Sequence, residues 1–278
     1  MKPISELTPA EACRVRGVAF DLDDTLLDHG RLAEATYSVL FRLGEAGLSL
    51  YGVTGRPAGW AEVLARVFPV QAIVAENGAV VCARRGERVV TLDSVDAATR
   101  RERDRKLDEL LAGFAQRFPD FQPADDVRAR VSDRTFDIGE YRQVAPDRVA
   151  EACAFLKQQG ARVFVSSVHL HATFDYADKA SGIVRLLAAD SGLDTTLVRH
   201  AYAYLGDSEN DASCFAAFAL SIGVANLRGR ATLRPRYITS QPMGAGVVEA
   251  AQLLLSLRAR AVEAGVAAAP ATAPARPL

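Results

Sequence analysis

Three carboxylates stand where buried strands of this sequence are predicted to end. Asp21 and Asp23 follow an apolar run over residues 15–20, and Asp207 follows a second predicted strand over residues 201–205. The carboxyl ends of parallel strands meet at one edge of a sheet, so these side chains are predicted to converge there. Asp21 and Asp23 are two residues apart on an extended segment, so both can face the same site.

A cluster of carboxylates points to a bound cation, because like charges that share a site repel one another unless a cation neutralises them. The candidate ligands are all oxygen atoms, with no histidine or cysteine at matching positions, and this favours Mg²⁺ held with waters and a substrate phosphate. The alternative is that the DLDD segment is only a solvated acidic turn. Its position at a strand end favours the metal site.

Lys179, Thr54 and Gly55 are predicted to bind a phosphate group. Lys179 begins a predicted helix, where the helix dipole disfavours a cation but backbone N–H groups attract an anion. The alternative is a surface lysine, yet the chain contains only 4 lysines. Thr54 and Gly55 follow a predicted strand over residues 48–53 and offer a hydroxyl and backbone N–H groups to the same phosphate.

Together these residues match phosphoryl transfer through an aspartyl phosphate. Asp21 is the better nucleophile because the strand holds it in place, whereas Asp23 lies farther out, where it can protonate the leaving alcohol and later deprotonate water. Mg²⁺ and Lys179 would offset the charge on the transferred group.

Alternating strands and helices must position these residues. The order strand, helix, strand, helix predicts an α/β fold with a doubly wound parallel sheet, and the same pattern returns late in the chain. Between the two halves the pattern changes to strand pairs with intervening helices, which predicts an inserted α+β cap domain. The predicted division is a core over residues 1–81 and 174–258, a cap over 82–173, and a disordered Ala/Pro-rich tail over 259–278.

Composition excludes several classes of protein. The 278 residues are 49% hydrophobic and 24% charged, with a formal net charge of -1. A disordered chain is excluded, and no basic surplus indicates nucleic acid or an anionic membrane as a partner. With no apolar run long enough to span a bilayer and no apolar signal segment, the chain is predicted to be cytoplasmic. The four separated cysteines are predicted to be reduced thiols, not a disulfide framework or a zinc site. Composition does not predict the oligomeric state.

The predicted cap offers candidates for substrate recognition. Arg134, Asp137, Glu140 and Arg142 carry mixed charges suited to a polyhydroxylated substrate, although solvated strand faces and surface ion pairs explain them equally simply.

Other cap residues are predicted to have no functional role. His169 and His171 lie two apart on a strand and are predicted to be exposed and not metal-binding, since no third ligand is evident. The interleaved charges of residues 100–105 are predicted to form a solvated helix face.

Four segments of the chain resemble the four sequence motifs of the haloacid dehalogenase superfamily of phosphohydrolases. They are FDLDDTL at residues 20–26, VTGR at 53–56, DKASG at 178–182 and GDSENDA at 206–212, in the family's order. The cap lies between the second and third motifs. This placement is similar to the subgroup that includes Cof-like sugar phosphatases and the sucrose phosphate, trehalose phosphate and mannosyl-3-phosphoglycerate phosphatases. ENGA at 76–79 and GAGVVEA at 244–250 are also similar to that subgroup.

The resemblance implies a role for each matching residue. It makes Asp21 the nucleophile and a metal ligand, and Asp23 the general acid and base whose backbone carbonyl also binds Mg²⁺. It implies that Asp207 binds the metal directly with Asp211 in support, and that Asn210 lies near the phosphoryl group. Thr54 and Lys179 would hold the phosphate. Asp24 departs from the glycine common at its position in close relatives, a change the superfamily tolerates.

The predicted function is hydrolysis of a small phosphorylated metabolite, a sugar phosphate or a glycosyl glycerate phosphate, by a magnesium-dependent phosphatase. A phosphomutase, which returns the phosphate to a sugar, is the alternative within the same chemistry. A phospho-accepting signalling domain uses a similar Asp, Thr and Lys set, but it needs neither a cap nor a second acid two residues beyond the nucleophile. A non-catalytic binding protein is disfavoured because every motif residue is present.

Overall fold

The computed structural model describes residues 1–166, 168–227, 231–265 and 269. Most of the strands form one main sheet and the remainder form a second, smaller sheet. The strands are β1 (Lys2–Pro3), β2 (Gly17–Phe20), β3 (Ser49–Val53), β4 (Ala72–Ala75), β5 (Val80–Arg85), β6 (Arg88–Asp93), β7 (Gln122–Pro123), β8 (Asp133–Asp137), β9 (Arg162–Val165), β10 (His169–Thr173), β11 (Tyr202–Gly206), β12 (Leu220–Gly223) and β13 (Tyr237–Ile238). The α-helices are α1 (Pro9–Arg14), α2 (Glu34–Glu45), α3 (Ala58–Val67), α4 (Ala97–Arg117), α5 (Pro146–Gln158), α6 (Lys179–Ser191), α7 (Thr195–Ala201), α8 (Ala212–Ala217) and α9 (Met243–Glu263).

The main sheet has the strand order β1-β13-β12-β11-β2-β3-β4-β5-β6, and its pairs are parallel from β1 through β4. Strands β2, β3 and β11 are apolar and buried along their whole length, as expected for strands covered on both faces. Helices α2, α3 and α9 contribute to one apolar cluster, and α6, α7 and α8 contribute to the cluster on the other face. The predicted α/β fold with a doubly wound parallel sheet is therefore confirmed.

The smaller sheet is antiparallel, with the order β7-β8-β10-β9. One of its faces packs against α4 and α5 around a cluster that includes Phe114, Phe118 and Phe136. We use the word cap below for residues 97–173, which carry this sheet and the two helices. The cap has its own apolar core, as the predicted α+β insertion requires.

The boundaries differ from the predicted ones at two places. Strands β5 and β6 form a hairpin that extends the main sheet beyond β4, so the predicted boundary between residues 81 and 82 falls inside a core strand. Helix α9 continues through residues 259–263, where the tail was predicted to begin, because Ala261 still packs into the core. The rest of the predicted tail lies outside the described residues, apart from residues 264, 265 and 269.

The residues 100–105 do not all form a solvated face, contrary to the prediction. Arg100 is buried in the first turns of α4, where it donates hydrogen bonds to Asp93 and Asp175 at 2.6–3.2 Å. Asp175 lies on the chain segment that returns from β10 to α6. Arg100 therefore ties together the two segments that connect the cap to the core. Among the described helices, none is both long and apolar enough to cross a membrane.

Candidate active site

The structure brings the predicted carboxylates to one edge of the main sheet. Strands β11, β2 and β3 are neighbours in this sheet, so the residues that follow them lie side by side. Asp21 continues the ladder by donating its backbone N–H to the carbonyl of Leu205 at 2.9 Å, and Asp207 follows the end of β11. Thr54 follows β3 in the same way, donating its N–H to Val74 at 2.8 Å.

Lys179 joins two of these carboxylates. Its Nζ lies 2.8 Å from Oδ1 of Asp21 and donates a hydrogen bond of 2.8 Å to Oδ1 of Asp211, and only 2% of the residue is exposed. Burial alone lowers the pKa of a lysine, but the charges of Asp21 and Asp211 outweigh it and raise the pKa of Lys179 above its usual range. The ammonium group is therefore a fixed positive charge at the centre of the site.

Asp211 is fully buried and occupied on both oxygens. Oδ1 accepts from Lys179 and from the hydroxyl of Tyr204 at 2.6 Å, while Oδ2 accepts from the backbone N–H groups of Asp207 and Ser208 at 3.0 and 3.1 Å. The Ser208 hydroxyl also donates to Oδ2 at 3.2 Å. Since a carboxylate has about four lone-pair sites, Asp211 has little capacity left for a metal. Its contacts instead fix the loop that carries Asp207.

The donor atoms fit a magnesium ion. Oxygen atoms of Asp21, Asp207 and Asp211 lie within 4.8 Å of one another, and all three side chains are wholly or largely shielded from water. Burial, followed by the charge of Asp211, raises the pKa of Asp207 to about 7, and a cation at this place would favour its ionised form. Asp207 is oriented by Thr25, which donates to Oδ1 at 3.2 Å, and by Asn226, which donates to Oδ2 at 3.1 Å. Asp21 and Asp207 are the side chains that would hold the ion.

The phosphate cradle predicted beside the carboxylates is fixed by local hydrogen bonds. Thr54 is fully buried, and its hydroxyl oxygen accepts a hydrogen bond from the backbone N–H of Arg56 at 3.0 Å, which leaves the hydroxyl proton free to donate. A Cβ added at Gly55 would lie 3.1 Å from Oδ1 of Asn77, so glycine keeps the loop open. Asn210 donates from Nδ2 to the same Oδ1 at 2.8 Å.

Asn77 is a site residue that the sequence reasoning missed. It adopts φ 54°, in the left-handed region, and it holds Asn210 next to the cradle. The available signal was the ENGA segment, in which an asparagine precedes a glycine as in many positions with positive φ. Asp24 also has positive φ, at 53°. Aspartate tolerates the left-handed region better than most residues, so it can stand where the resemblance implies a glycine.

Asp23 is held by Arg56, a second residue that was not predicted. Nε of Arg56 donates to both Asp23 oxygens at 3.1 and 3.0 Å, and Nη2 donates to Oδ1 at 3.0 Å. The guanidinium group lies 4.8 Å from the centre of the Trp60 ring. On its other side it reaches Glu140 of the cap at 3.4 Å. Arg56 therefore links the predicted general acid to the cap. The sequence feature that could have identified Arg56 is its place as the last residue of the VTGR segment.

The four predicted recognition residues of the cap do not line the cavity. Arg134 contacts Asp108, Arg142 is exposed, and Asp137 accepts backbone hydrogen bonds from the turn at residues 139–141. Glu140 lies closest to the site, since it binds both Arg56 and His169. The prediction of their roles stays a prediction.

The cap instead presents histidines to the site. His169 and His171 are each 3% exposed, so the prediction that they are exposed is wrong. Strand β10 is central in the cap sheet, and Leu170 on its opposite face is buried in the cap core, which turns both histidines towards the main sheet. They line a cavity of about 400 Å³ together with Asp21, Lys179 and Asp207. The cavity is therefore closed by the cap on one side and by the carboxylates on the other.

Residues 18–102 match the sequence model of the family described as haloacid dehalogenase-like hydrolase. The match includes the first two of the four predicted motifs, at residues 20–26 and 53–56. The phosphoglycolate phosphatase of Archaeoglobus fulgidus is 27% identical over 248 residues, which cover 87% of this chain and 98% of that protein. The phosphoglycolate phosphatase of Methanococcoides burtonii is 25% identical over 245 residues, covering 87% and 97%. The haloacid dehalogenase-like hydrolase family predicted from the four motifs, and the enzyme class of phosphoric monoester hydrolase, are thus confirmed.

Solved structures with a similar fold match most of the chain. The sucrose-phosphatase of Synechocystis, described in complex with sucrose and phosphate, superimposes with a TM-score of 0.63 at 16% identity and covers 86% of this chain and 98% of its own. Both the main sheet and the cap are included at this coverage. The likeness to that structure is therefore a likeness of the overall fold.

Proposed function

We propose that the protein is a magnesium-dependent phosphatase that hydrolyses a small phosphorylated metabolite through a phosphate ester on Asp21. The observation that carries the proposal is the position of Lys179, whose ammonium group lies 2.8 Å from both Asp21 and Asp211 at the floor of the cavity. A buried lysine between two carboxylates provides the charge that an incoming phosphoryl group needs, next to the side chain that would attack it.

In the first half of the reaction, a carboxylate oxygen of Asp21 attacks phosphorus and the bond from phosphorus to the alcohol oxygen breaks. Asp23, in its protonated form, gives its proton to that oxygen. Thr54, the N–H of Gly55 and Lys179 hold the phosphoryl oxygens in line with Asp21. Asp21 and Asp207 would hold a Mg²⁺ ion, which would supply positive charge to the phosphoryl group.

In the second half, Asp23 takes a proton from water. The water oxygen attacks phosphorus, the bond to Asp21 breaks, and inorganic phosphate leaves. Arg56 keeps the Asp23 carboxylate aimed into the cavity during this step. A closed cap limits the reaction to one positioned water.

The size of the cavity supports a small substrate. A volume of about 400 Å³ beneath a cap accommodates a phosphorylated sugar or a smaller acid. We propose a sugar phosphate or glycosyl glycerate phosphate as the substrate class. Phosphoglycolate is a second candidate, favoured by the names of the relatives described above. A phosphomutase would use the same groups but return the phosphate to a sugar.

The test is release of inorganic phosphate from a panel of sugar phosphates and phosphoglycolate, with Mg²⁺ and with a chelator. We expect turnover only with Mg²⁺, and its loss by more than about a thousandfold in the near-isosteric variant Asp21→Asn, because an amide cannot act as the nucleophile. The matched control is Asp147→Asn, at an exposed position on α5. Undiminished turnover in Asp21→Asn contradicts the proposal. Mass spectrometry of the products separates a phosphatase, which releases free sugar, from a mutase, which yields an isomeric sugar phosphate.

A further inference from the structure

The buried pair of Asp133 and His171 belongs to no step of the proposed reaction. Nδ1 of His171 lies 2.9 Å from Oδ2 of Asp133 and 3.2 Å from the hydroxyl of Thr135. Asp133 accepts two hydrogen bonds from Arg130 at 3.0 and 3.2 Å. Burial raises the pKa of a carboxyl, but here Arg130 and then His171 outweigh it and lower the pKa of Asp133. Asp133 is therefore ionised and can only accept, so Nδ1 of His171 carries the hydrogen of this bond.

The same chain of contacts fixes the distance between His171 and the phosphate cradle. Nη1 of Arg130, which binds Asp133, also donates to the backbone carbonyl of Gly55 at 2.9 Å. Cε1 of His171 lies 3.6 Å from the point where a Cβ on Gly55 would stand. The imidazole ring thus lies directly beside the loop that binds phosphate, held there by two buried residues of the cap.

The second ring nitrogen of His171 is left for a ligand. Within the described part of the chain, Nε2 has no hydrogen-bond partner, while the residue lines the cavity. Burial lowers the pKa of His171 more strongly than Asp133 raises it, so the ring is neutral and Nε2 carries a lone pair. A lone pair at this place can accept a hydrogen bond. It cannot bind a carboxylate or a phosphate dianion, which also only accept.

We infer that His171 accepts a hydrogen bond from a hydroxyl group of the leaving alcohol, so that the substrates are phosphorylated sugars or polyols with a hydroxyl close to the phosphate ester. This inference rests on the proposed phosphatase function and selects between its two substrate candidates. Phosphoglycolate has no hydroxyl to donate. Among the other cap residues that line the cavity, Val165 and Val168 are apolar, the Ser166 hydroxyl is paired with the His169 backbone, and the His169 ring is paired with Glu140.

The experiment compares three substrates that differ in the groups close to the phosphate ester. Glycerol 3-phosphate has a hydroxyl next to the ester, propyl phosphate has the same chain without hydroxyls, and phosphoglycolate replaces the hydroxyl with a carboxylate. For the native protein we expect kcat/KM to be at least about fivefold higher for glycerol 3-phosphate than for propyl phosphate, because an unmatched Nε2 would otherwise be buried.

Two substitutions of His171 separate its two nitrogens. His171→Asn keeps an amide near Nδ1 to bind Asp133 but has no atom near Nε2, and we expect it to abolish the preference for glycerol 3-phosphate. His171→Gln places a polar atom near Nε2, and we expect it to retain part of the preference. His200→Asn, at an exposed position on α7, is the control and should behave as the native protein. Thermal melting of each variant checks that it is folded.

Three results overturn the inference. The first is a native protein that does not distinguish glycerol 3-phosphate from propyl phosphate. The second is an equal loss on both substrates in His171→Asn, which would mean that His171 contacts the phosphate itself. The third is a preference for phosphoglycolate that His171→Asn removes, which would mean that a protonated ring binds a carboxylate. Failure of the proposed phosphatase function is distinct from all three, because no phosphate would then be released from any substrate.

Discussion

Arg56 connects Asp23, the proposed general acid, to Glu140 of the cap. Its planar guanidinium group binds both oxygens of Asp23 and stacks on Trp60, a geometry that a lysine ammonium group cannot reproduce. Because Arg56 binds both oxygens of Asp23, we regard it as a positioning residue that would act through Asp23 and not on the transferred phosphoryl group.

The variant Arg56→Lys should lower kcat by about tenfold while KM changes little, because a less well-oriented Asp23 slows proton transfer more than it weakens phosphate binding. Steady-state kinetics on one good substrate measures both constants. Arg66→Lys is the control, since Arg66 lies on the neighbouring helix α3, is exposed and pairs with Glu62. A KM effect without a kcat effect would contradict the positioning role.

For single residues, the sequence predicts which side chains follow the ends of buried strands and therefore meet at one edge of the sheet. Asp21, Thr54 and Asp207 follow buried apolar runs, so their meeting at one edge could be expected from topology alone. The burial of His169 and His171 could not be expected in this way. It depends on which face of β10 packs on the cap core and which face is turned towards the main sheet. The contact between Arg100 and Asp175 spans 75 residues of sequence, and no local pattern records such a partner.

Among the structural elements, α3 and the loop that leads into β8 are joined by the carboxylate of Glu76. Oε1 accepts from the backbone N–H of Ala58 at 3.0 Å and from that of Val131 at 2.9 Å, and Oε2 accepts from the Ser132 hydroxyl at 2.7 Å. Glu76 therefore binds the free N–H group at the start of α3 and also connects the core to the cap. The variant Glu76→Ala leaves several buried donors unpaired and should lower the free energy of unfolding by about 2–4 kcal/mol.

The variant Glu76→Gln gives a pH test of the same contact. Burial, and then the charge of Asp133, raise the pKa of Glu76 above its ordinary value of 4.5. A raised carboxyl pKa stabilises the folded state fully below the ordinary value, and this stabilisation is lost as the pH rises through the raised one. Glutamine does not ionise, so the stability of the native protein relative to Glu76→Gln should fall as the pH rises above 4.5. Urea denaturation at several pH values measures this difference, with Glu62→Gln as an exposed control. A difference that is constant with pH would contradict it.

Helices and buried strands were predictable from periodicity, but the sheet that each strand joins was not. The hairpin of β5 and β6 carries ordinary strand residues, and its local sequence fits either the main sheet or the cap. Pairing with β4 decides the matter, and that pairing depends on the packing of α3 across the hairpin. A domain boundary inferred from a change in the pattern of strands and helices is therefore displaced here by the length of the β5–β6 hairpin.

The whole molecule has a net charge of -1, yet its cavity concentrates carboxylates. Asp21, Asp207 and Asp211 converge on Lys179, so the folded state holds more negative than positive charge at one place. A divalent cation that binds only the folded protein removes this repulsion and stabilises the fold by mass action. Charge balance would thus couple the proposed metal binding to global stability.

This coupling predicts the outcome of thermal melting with and without Mg²⁺. Saturating Mg²⁺ should raise the Tm of the native protein by about 5 °C relative to a chelator, given a stabilisation of about 2–3 kcal/mol at a hundredfold excess over Kd. Asp207→Asn removes one ligand and one of the crowded charges, so it should melt higher than the native protein in chelator and gain little from Mg²⁺. Asp147→Asn should respond as the native protein does. If Mg²⁺ raised the Tm of Asp207→Asn as much as that of the native protein, the ion would bind elsewhere. The aspartates at the strand ends would then be a cost to stability that no cation offsets.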